Sequence, residues 1–333
     1  MKNFEVIFNQ FLICVKTLQD ALNVSFGEAL TETFDNLETG QIRVENDAPD
    51  EATIRKLSKE YKELNYEKIS KHDKVLIFNY LVLKAITEDD RNVNQMPTPP
   101  VLSTIMALIM QKLLPKKELS VVDPAIGTGS LLYSVINQLI SSNHSQNNYK
   151  LSGIDNDEEM LSFADIGAHL NDLPIELYHQ DALQPWLIDS VDAVLSDLPV
   201  GYYPLDNNVK SFDLKNETGH SFAHALYLEQ IVKNLNPGGF AFLLVPTGMI
   251  SGKDSSKFMG WLAKKVYLNA IIDLPDDLFK NRFNQKSILV FQNHGADAKA
   301  TEVLITKIGS IKEEQSLVEF NMKLNEWYTK QNK

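Results

Sequence analysis

Four short apolar segments in this 333-residue chain each end in an aspartate. The segments LSVVD, LSGID, ELYHQD and AVLSD end at Asp123, Asp155, Asp181 and Asp197. Nearly continuous apolar runs of this length, alternating with segments of helical periodicity, are typical of strands in a mostly parallel sheet covered by helices. Because parallel strands share their carboxyl ends at one edge, where ligands bind, the sequence predicts an α/β fold with four carboxylates along its binding edge.

Residues 1–92 follow a different pattern. Apolar side chains such as Phe4, Phe8, Phe11 and Val15 recur every three or four positions, which places them on one helix face. The proline-rich segment QMPTPP then marks a boundary. We therefore predict a small all-helical module over residues 1–92, an α/β domain over residues 93–311 and a C-terminal helix over residues 312–333.

The composition is that of an ordinary globular protein, with 44% hydrophobic and 23% charged residues. Glu5, Asn9 and Lys16 interrupt the apolar N-terminus, so it is not expected to be a signal peptide. No apolar run is long enough to cross a membrane, and we expect a cytoplasmic protein without a membrane partner. The net charge of -12 argues against binding nucleic acid except through a local basic patch.

The loop after the first strand, DPAIGTGS, contains Gly127 and Gly129 and leads directly into a helix. The glycines let the backbone approach a ligand, and the helix directs free N–H groups toward it. A dinucleotide-binding fingerprint needs Gly or Ala three positions after the second glycine, where this chain has Leu132. A dehydrogenase is therefore disfavoured. Asp155 is suited to accept hydrogen bonds from both hydroxyls of a ribose, and Asp181 to accept one from an adenine amino group.

Several of these segments resemble those of the class I S-adenosylmethionine-dependent methyltransferases, in particular the N6-adenine DNA methylases and the modification subunits of type I restriction systems. The resemblance spans roughly residues 94 to 295 and rests on QMPTPP, DPAIGTGSLL, GIDND and HQDAL. SDLPVGYYP together with GHSFAH resembles a smaller group of adenine-methylase-like proteins from Gram-positive bacteria. The family resemblance implies a Rossmann-like, doubly wound, mostly parallel sheet of seven strands and S-adenosyl-L-methionine as cofactor.

The resemblance also assigns nine positions to that cofactor. Thr98 corresponds to the contact with the methionine end of the cofactor. The full set is Thr98, Asp123, Ala125, Gly127, Gly129, Asp155, Asn156, Asp181 and Ala182.

The catalytic tetrapeptide of the family is Asn/Asp-Pro-Pro-aromatic, and this chain has Asp197-Leu198-Pro199-Val200 at that place. An aromatic amine is a poor nucleophile unless both of its N–H groups donate to fixed acceptors, which turns its lone pair toward the methyl group. The Asp197 carboxylate and the carbonyl of Leu198 would supply these acceptors. Pro199 keeps Leu198 extended. The family pattern therefore implies catalytic roles for Asp197, Leu198 and Pro199.

Val200 replaces the aromatic ring on which the family stacks its target base, a contact worth about 1–3 kcal/mol. Tyr202 and Tyr203 are candidates to replace that ring, since Gly201 gives the turn conformational freedom. We include Tyr202 in the predicted catalytic set.

Two other groups of residues carry weaker signals. His220 and His224 lie four apart on a predicted helix, a spacing that can bind metal, but no third ligand is near in sequence and we expect no metal site. Lys280, Arg282 and Lys286 belong to the most basic stretch of the α/β domain and are candidate phosphate contacts.

We conclude from the sequence that the chain resembles an N-methyltransferase acting on adenine in DNA. After about residue 295 the sequence predicts one strand and one helix, too little to read a DNA sequence, so a partner subunit or the helical module is expected to help. Two alternatives stay open. The acceptor could be RNA or a protein glutamine, or the chain could bind the cofactor without catalysis and use its N-terminal helices as an interaction platform.

Overall fold

A computed structural model describes residues 2–91, 93–115, 118–142, 148–252, 255–279 and 285–331. The chain divides into two compact units. The first unit comprises Met1–Pro97, Gly127–Tyr133 and Asp157–Pro174, and the second comprises Thr98–Ile126, Ser134–Asn156 and Ile175–Lys333. The domain boundaries drawn from the sequence stay a prediction.

The α-helices follow the apolar periodicity of the sequence. In chain order they are α1 (Lys2–Leu22), α2 (Phe26–Thr39), α3 (Glu51–Leu64), α4 (Lys71–Glu88), α5 (Pro100–Leu113), α6 (Ser130–Ser141), α7 (Glu158–Asn171), α8 (Ala223–Asn234), α9 (Thr247–Ser251), α10 (Ser255–Lys265) and α11 (Glu314–Gln331). Local capping sets several of these ends. At the start of α2, the Ser25 side chain accepts from the Glu28 backbone N–H and the Glu28 carboxylate accepts from the Ser25 N–H, which forms a capping box.

The described strands of the second unit form one sheet. Its strands are β1 (Leu119–Asp123), β2 (Tyr149–Asp155), β3 (Ile175–His179), β4 (Val191–Asp197), β5 (Leu235–Pro246), β6 (Val266–Asp273), β7 (Lys286–Asn293) and β8 (Leu304–Lys307). They lie in the order β3-β2-β1-β4-β5-β7-β6-β8. Within the described residues, β7 is the one strand that runs antiparallel to its neighbours, β5 and β6.

The predicted α/β class and mostly parallel sheet are confirmed, but the described residues form eight strands rather than seven. The additional strand is β8, which pairs in parallel with β6 and covers the open edge of the sheet. The pairing of β5 also starts earlier than expected. The Asn-Pro-Gly-Gly turn is part of β5 because Leu235 pairs with Val191 before the register shifts.

The first unit is built around a chain of phenylalanine rings. Phe11 stacks on Phe34 with ring centroids 5.5 Å apart, and Phe34 meets Phe78 edge-on at 5.1 Å. Phe78 in turn contacts Phe163 of α7 at 6.4 Å. All four rings are buried, so α7 belongs to the core of the N-terminal helices although it follows β2 in sequence. Each buried ring removes about 150–250 Å² from water, so these four phenylalanines stabilise the unit by burying apolar surface.

We predict that Phe163→Ala destabilises the protein by about 3–5 kcal/mol, because it removes a fully buried ring and leaves a cavity. Urea unfolding followed by circular dichroism measures this change. Ile13→Ala on α1 is the matched control, since Ile13 is half-exposed and should cost well under 1 kcal/mol. Equal effects of the two substitutions would contradict the assignment of α7 to this core.

Candidate functional site

The carboxyl ends of β2, β1 and β4 form a notch at one edge of the sheet. These three strands are parallel neighbours, and Asp155, Asp123 and Asp197 are their last residues. Asp123 pairs with Gly153, and the register of Val122 with Val194 shows that both flanking strands continue two residues further. The middle carboxylate therefore lies at the floor of the notch and the outer two at its walls. Strand order reverses between β1 and β4, which is where open α/β sheets bind ligands.

Asp123 is a buried carboxylate, only 2% exposed. Its Oδ1 accepts from the Ser196 hydroxyl at 2.7 Å and from the Ala125 backbone N–H at 3.0 Å. The pKa of Asp123 is raised to about 7, chiefly by burial and in addition by the charges of Asp197 and Asp155. The two hydrogen bonds oppose the rise without cancelling it. A cationic group bound in the notch would offset the negative charge of these three carboxylates.

The predicted ribose contact ends β2, and the predicted adenine contact lies beyond the end of β3. The backbone carbonyl of Asp155 accepts from the Gln180 N–H at 2.9 Å, and the carbonyl oxygen of Asn156 lies 3.2 Å from His179 Nε2. Asp181 does not end β3 as predicted but lies two residues beyond its last residue. Ala182 is buried, and its carbonyl oxygen accepts from the indole N–H of Trp186 at 2.8 Å.

Two predicted glycines have the backbone conformation that their role requires. Gly127 has φ 52° and Gly129 has φ 73°, in the left-handed region that side chains disfavour. A Cβ added at Gly127 would meet no atom within 4 Å, whereas one at Gly129 would strike the Tyr133 ring. Gly127 is therefore required by its backbone angle, and Gly129 by its angle and by close packing. Both lie in the first unit.

Asp197 is held by two donors from distant parts of the chain. Thr98 Oγ1 donates to Asp197 Oδ2 at 3.2 Å, and the Lys286 ammonium forms an ion pair with Oδ1. Thr98, Asp197 and Lys286 thus meet at one point although they are far apart in sequence. The contact of Lys286 with Asp197 was not anticipated, since its charge had been considered only as a candidate phosphate contact. Lys280 and Arg282 lie outside the described residues.

The rest of the tetrapeptide is partly buried. Leu198 is fully buried, and its N–H donates to the Leu244 carbonyl of β5 at 3.1 Å, which extends the strand pairing by one residue. Pro199 is half-buried, and Val200 is 38% exposed at the position of the family's aromatic ring.

Tyr202 begins a stack of three rings. It pairs with Phe222 in an isolated antiparallel bridge, and their rings stack with centroids 4.8 Å apart. Phe222 stacks in turn on the His224 imidazole at 5.2 Å. Tyr202 is 62% exposed, whereas His224 is 7% exposed. An aromatic face supported from behind is therefore available close in sequence to Val200.

Tyr203 has a different role from the one considered for it. It is 8% exposed, and its hydroxyl donates to Asp181 Oδ2 at 2.5 Å. The Asn208 side-chain amide donates to the Tyr203 oxygen at 3.3 Å, and Asp181 Oδ1 accepts from the Leu183 N–H at 3.0 Å. Tyr203 therefore connects the segment after Asp197 to the segment after β3. The two residues that make this contact, Tyr203 and Asp181, are 22 positions apart in the sequence.

The two histidines do not share a helix. Helix α8 begins at Ala223, so His220 precedes it, and its ring is 2.9 Å from the Asp206 carboxylate. The pKa of His224 is lowered to about 4, chiefly by burial and in addition by the charge of the Lys286 ammonium. His224 Nδ1 is buried without a hydrogen-bond partner among the described residues. In that part of the chain, no three His, Cys, Asp or Glu side chains group as metal ligands would.

Across the described part of the chain, every helix is too short or too polar to span a membrane.

Comparison with known proteins identifies two family models. The N-6 DNA methylase model matches residues 71–330, and the YtxK N-terminal helical domain model matches residues 5–86. The uncharacterised protein YtxK of Bacillus subtilis is 35% identical over 331 residues, which cover 98% of this chain and 96% of that protein.

Two solved structures are also similar. A Listeria monocytogenes protein, provisionally described as a class I S-adenosylmethionine-dependent methyltransferase, is 34% identical to this chain and has a TM-score of 0.87. The match covers 98% of this chain and 99% of the Listeria chain. The type I restriction-modification methyltransferase subunit from Streptococcus thermophilus is 16% identical to this chain and has a TM-score of 0.66. The match covers 95% of this chain and 73% of that subunit, so the two proteins share the fold.

We predict that Asp123→Asn stabilises the ligand-free protein at pH 8. The folded state binds the Asp123 proton more tightly than the unfolded chain, so the free energy of unfolding falls as pH rises from 3.8 to about 7. Asparagine keeps the oxygen that accepts both hydrogen bonds but carries no charge. The gain should be about 1–4 kcal/mol at pH 8 and smaller at pH 5.

Urea unfolding at the two pH values checks this prediction, with Asp189→Asn as the control because Asp189 is exposed. A gain of the same size at both pH values would mean that the Asp123 charge is not its cause.

Proposed function

Because this chain belongs to the N-6 DNA methylase family, we propose that it is an S-adenosyl-L-methionine-dependent N-methyltransferase whose acceptor is the amino group of adenine in DNA. The family is the one that the sequence motifs predicted. The single observation that carries the proposal is the position of Asp197 at the carboxyl end of β4, beside the buried Asp123 in the notch.

The residues in the notch fit the cofactor. Asp123 is a buried carboxylate near two others, so a ligand with a positive sulfonium and a positive ammonium group would offset the charge that burial makes unfavourable. When bound, the cofactor supplies an electrophilic methyl group. The residues that would hold it are Thr98, Asp123, Ala125, Gly127, Gly129, Asp155, Asn156, Asp181 and Ala182.

Asp197 and Leu198 would orient the acceptor amine. The Asp197 carboxylate accepts one N–H of the amine, and the Leu198 carbonyl accepts the other, so that the nitrogen lone pair is available for attack. Pro199 restricts Leu198 to an extended backbone, which aims its carbonyl. As the nitrogen gains positive charge, the negatively charged Asp197 carboxylate stabilises the nitrogen. The same carboxylate can receive the proton that the nitrogen releases. Positioning of the amine accounts for most of the remaining rate acceleration.

Tyr202 would provide the stacking surface that Val200 lacks. It is exposed, and the rings of Phe222 and His224 support it. A base stacked on such a ring gains about 1–3 kcal/mol. With a net charge of -12, the chain itself has little general attraction for DNA, so a partner subunit that binds DNA is part of the proposal. The cytoplasm is the proposed location.

Two observations favour a second function, that of a cofactor-binding interaction protein without catalysis. Lys286 occupies Asp197 Oδ1, and Val200 stands in place of the aromatic ring. Neither departure is needed for cofactor binding, and both weaken an amine site.

We predict that Asp197→Ala abolishes methyl transfer, lowering the rate at least about 100-fold, while cofactor binding is retained. Asp197→Asn should keep part of the activity, since its amide oxygen can still accept one N–H. The measurement uses cofactor labelled in the methyl group, incubated with DNA, RNA and protein fractions, followed by identification of the methylated product.

N6-methyladenine in DNA that disappears with Asp197→Ala supports the proposal. Label in RNA or in protein glutamine would move the acceptor to that class. Cofactor binding with no label in any fraction, in the presence of cell extract as a source of partners, would favour the interaction protein.

A further inference from the structure

The Asp197–Lys286 ion pair is shielded from water. The Asp197 side chain is 23% exposed and that of Lys286 is 20% exposed. Exposed pairs contribute little because solvent screens them, whereas a shielded pair keeps more of its attraction. The attraction between Asp197 and Lys286 is therefore stronger than that of an ordinary solvent-exposed ion pair.

Strand pairing holds the backbone of Lys286 in place. Lys286 is the first residue of β7, and it pairs with Pro246 at the end of β5. Two positions further along, Ile288 pairs with Leu244, which also pairs with Asp197 on the other side of β5. Because β7 is antiparallel, its start lies at the same edge of the sheet as the end of β4. The Lys286 side chain is a flexible four-carbon chain that can change rotamer while the sheet holds its Cα in place.

In this position Lys286 opposes the proposed reaction. Its ammonium donates to the oxygen on which the acceptor amine would place an N–H, while Thr98 donates to the other oxygen. Its charge also cancels the negative charge that would stabilise the nitrogen as that nitrogen becomes positive. A bound sulfonium would be repelled by the same charge. Productive binding therefore requires Lys286 to move away from Asp197.

The group that draws Lys286 away must be an anion, because an ammonium leaves a carboxylate most readily for another negative partner. The substrate of the proposed function carries a phosphate on every nucleotide, and lysine is a common phosphate contact. The charge of Lys286 also acts on His224, but the lowered pKa of that buried imidazole keeps it neutral, so it is not an anionic partner for Lys286. The nearby carboxylates of Asp123 and Asp155 lie in the cofactor notch.

We infer that Lys286 is a latch on Asp197 that a phosphate of the nucleic acid substrate releases, so that the amine site opens only when a polyanionic substrate is bound. This inference rests on the proposed function. Lys286 acts through Asp197 and is a positioning residue rather than a catalytic one.

The test compares the affinities of two ligands by calorimetry: S-adenosyl-L-methionine, and S-adenosyl-L-homocysteine, which lacks the methyl group and the sulfonium charge. The ratio of the two affinities isolates the effect of charges near the sulfonium. Lys286→Met keeps the length of the side chain and removes its charge, and it should raise the ratio in favour of S-adenosyl-L-methionine about five- to tenfold. Lys286→Arg keeps the charge and should leave the ratio near that of the wild type.

Lys264→Met on α10 is the matched control, since Lys264 is an exposed lysine of the same unit. It should not change the ratio. A short, fluorescently labelled single-stranded deoxyadenosine oligonucleotide is added at low ionic strength, where screening is weak, until fluorescence anisotropy shows that it is bound. Once bound to the wild type it should raise the ratio as Lys286→Met does, and once bound to Lys286→Met it should raise the ratio no further.

An unchanged ratio in Lys286→Met would overturn the latch. A changed ratio in Lys286→Met, with no effect of the oligonucleotide on the wild type, would overturn its release by phosphate. Because these outcomes are binding affinities, they are independent of methyl transfer. Label in DNA without a change in the ratio would uphold the proposed function alone, and a change in the ratio without label would uphold the latch alone.

Discussion

Parallel pairing of β2, β1 and β4 is the constraint on which the rest of the site depends. It brings three strand-end carboxylates to one edge, and the two-residue recess of β1 puts Asp123 beneath its neighbours. A buried carboxylate with two further acidic groups close by is unfavourable in a ligand-free protein. Burial is the main cause of the raised pKa of Asp123, and the charges of Asp197 and Asp155 add to it. The site is therefore preorganised for a cation at some cost in stability, as is common where function and stability conflict.

The segment after Asp197 shows how a departure from the family tetrapeptide can be compensated. Leu198 preserves the backbone of the motif because its N–H joins the pairing with β5. Val200 loses a ring, but Tyr202 presents another at the head of the stack with Phe222 and His224. Tyr203 contacts Asp181, so the two tyrosines of the motif have separate environments. Together these contacts are consistent with an amine site built from different residues rather than one that has been lost.

Charge decides how the site can be used. The cofactor notch is acidic, the chain has a net charge of -12, and Lys286 neutralises the carboxylate where the amine would bind. Such a site suits a substrate that carries both a negative charge, which pairs with Lys286, and an amino group, which donates to the Asp197 carboxylate. This combination is why the ion pair is compatible with a nucleic acid substrate and does not by itself indicate a lost activity.

The sequence by itself determined the strands, the positions of Asp123, Asp155 and Asp197 at their ends, the helical N-terminal segment and the family. These features follow from nearly continuous apolar runs, from the 3.6-residue periodicity of helices and from short motifs, which are local properties. Their predicted roles toward the cofactor stay predictions. Asp181 lies two residues past the end of β3, because the pairing of β3 with β2 stops at His179, opposite Asp155.

Only the tertiary structure decided which groups meet at Asp197. Lys286 is 89 positions from its partner, and Thr98 is 99 positions away on the other side. No local pattern encodes such contacts, because they depend on strand order and on the antiparallel direction of β7. The packing of α7 with the N-terminal helices has the same origin, since Phe163 finds its partners Phe78 and Phe34 through folding and not through sequence proximity.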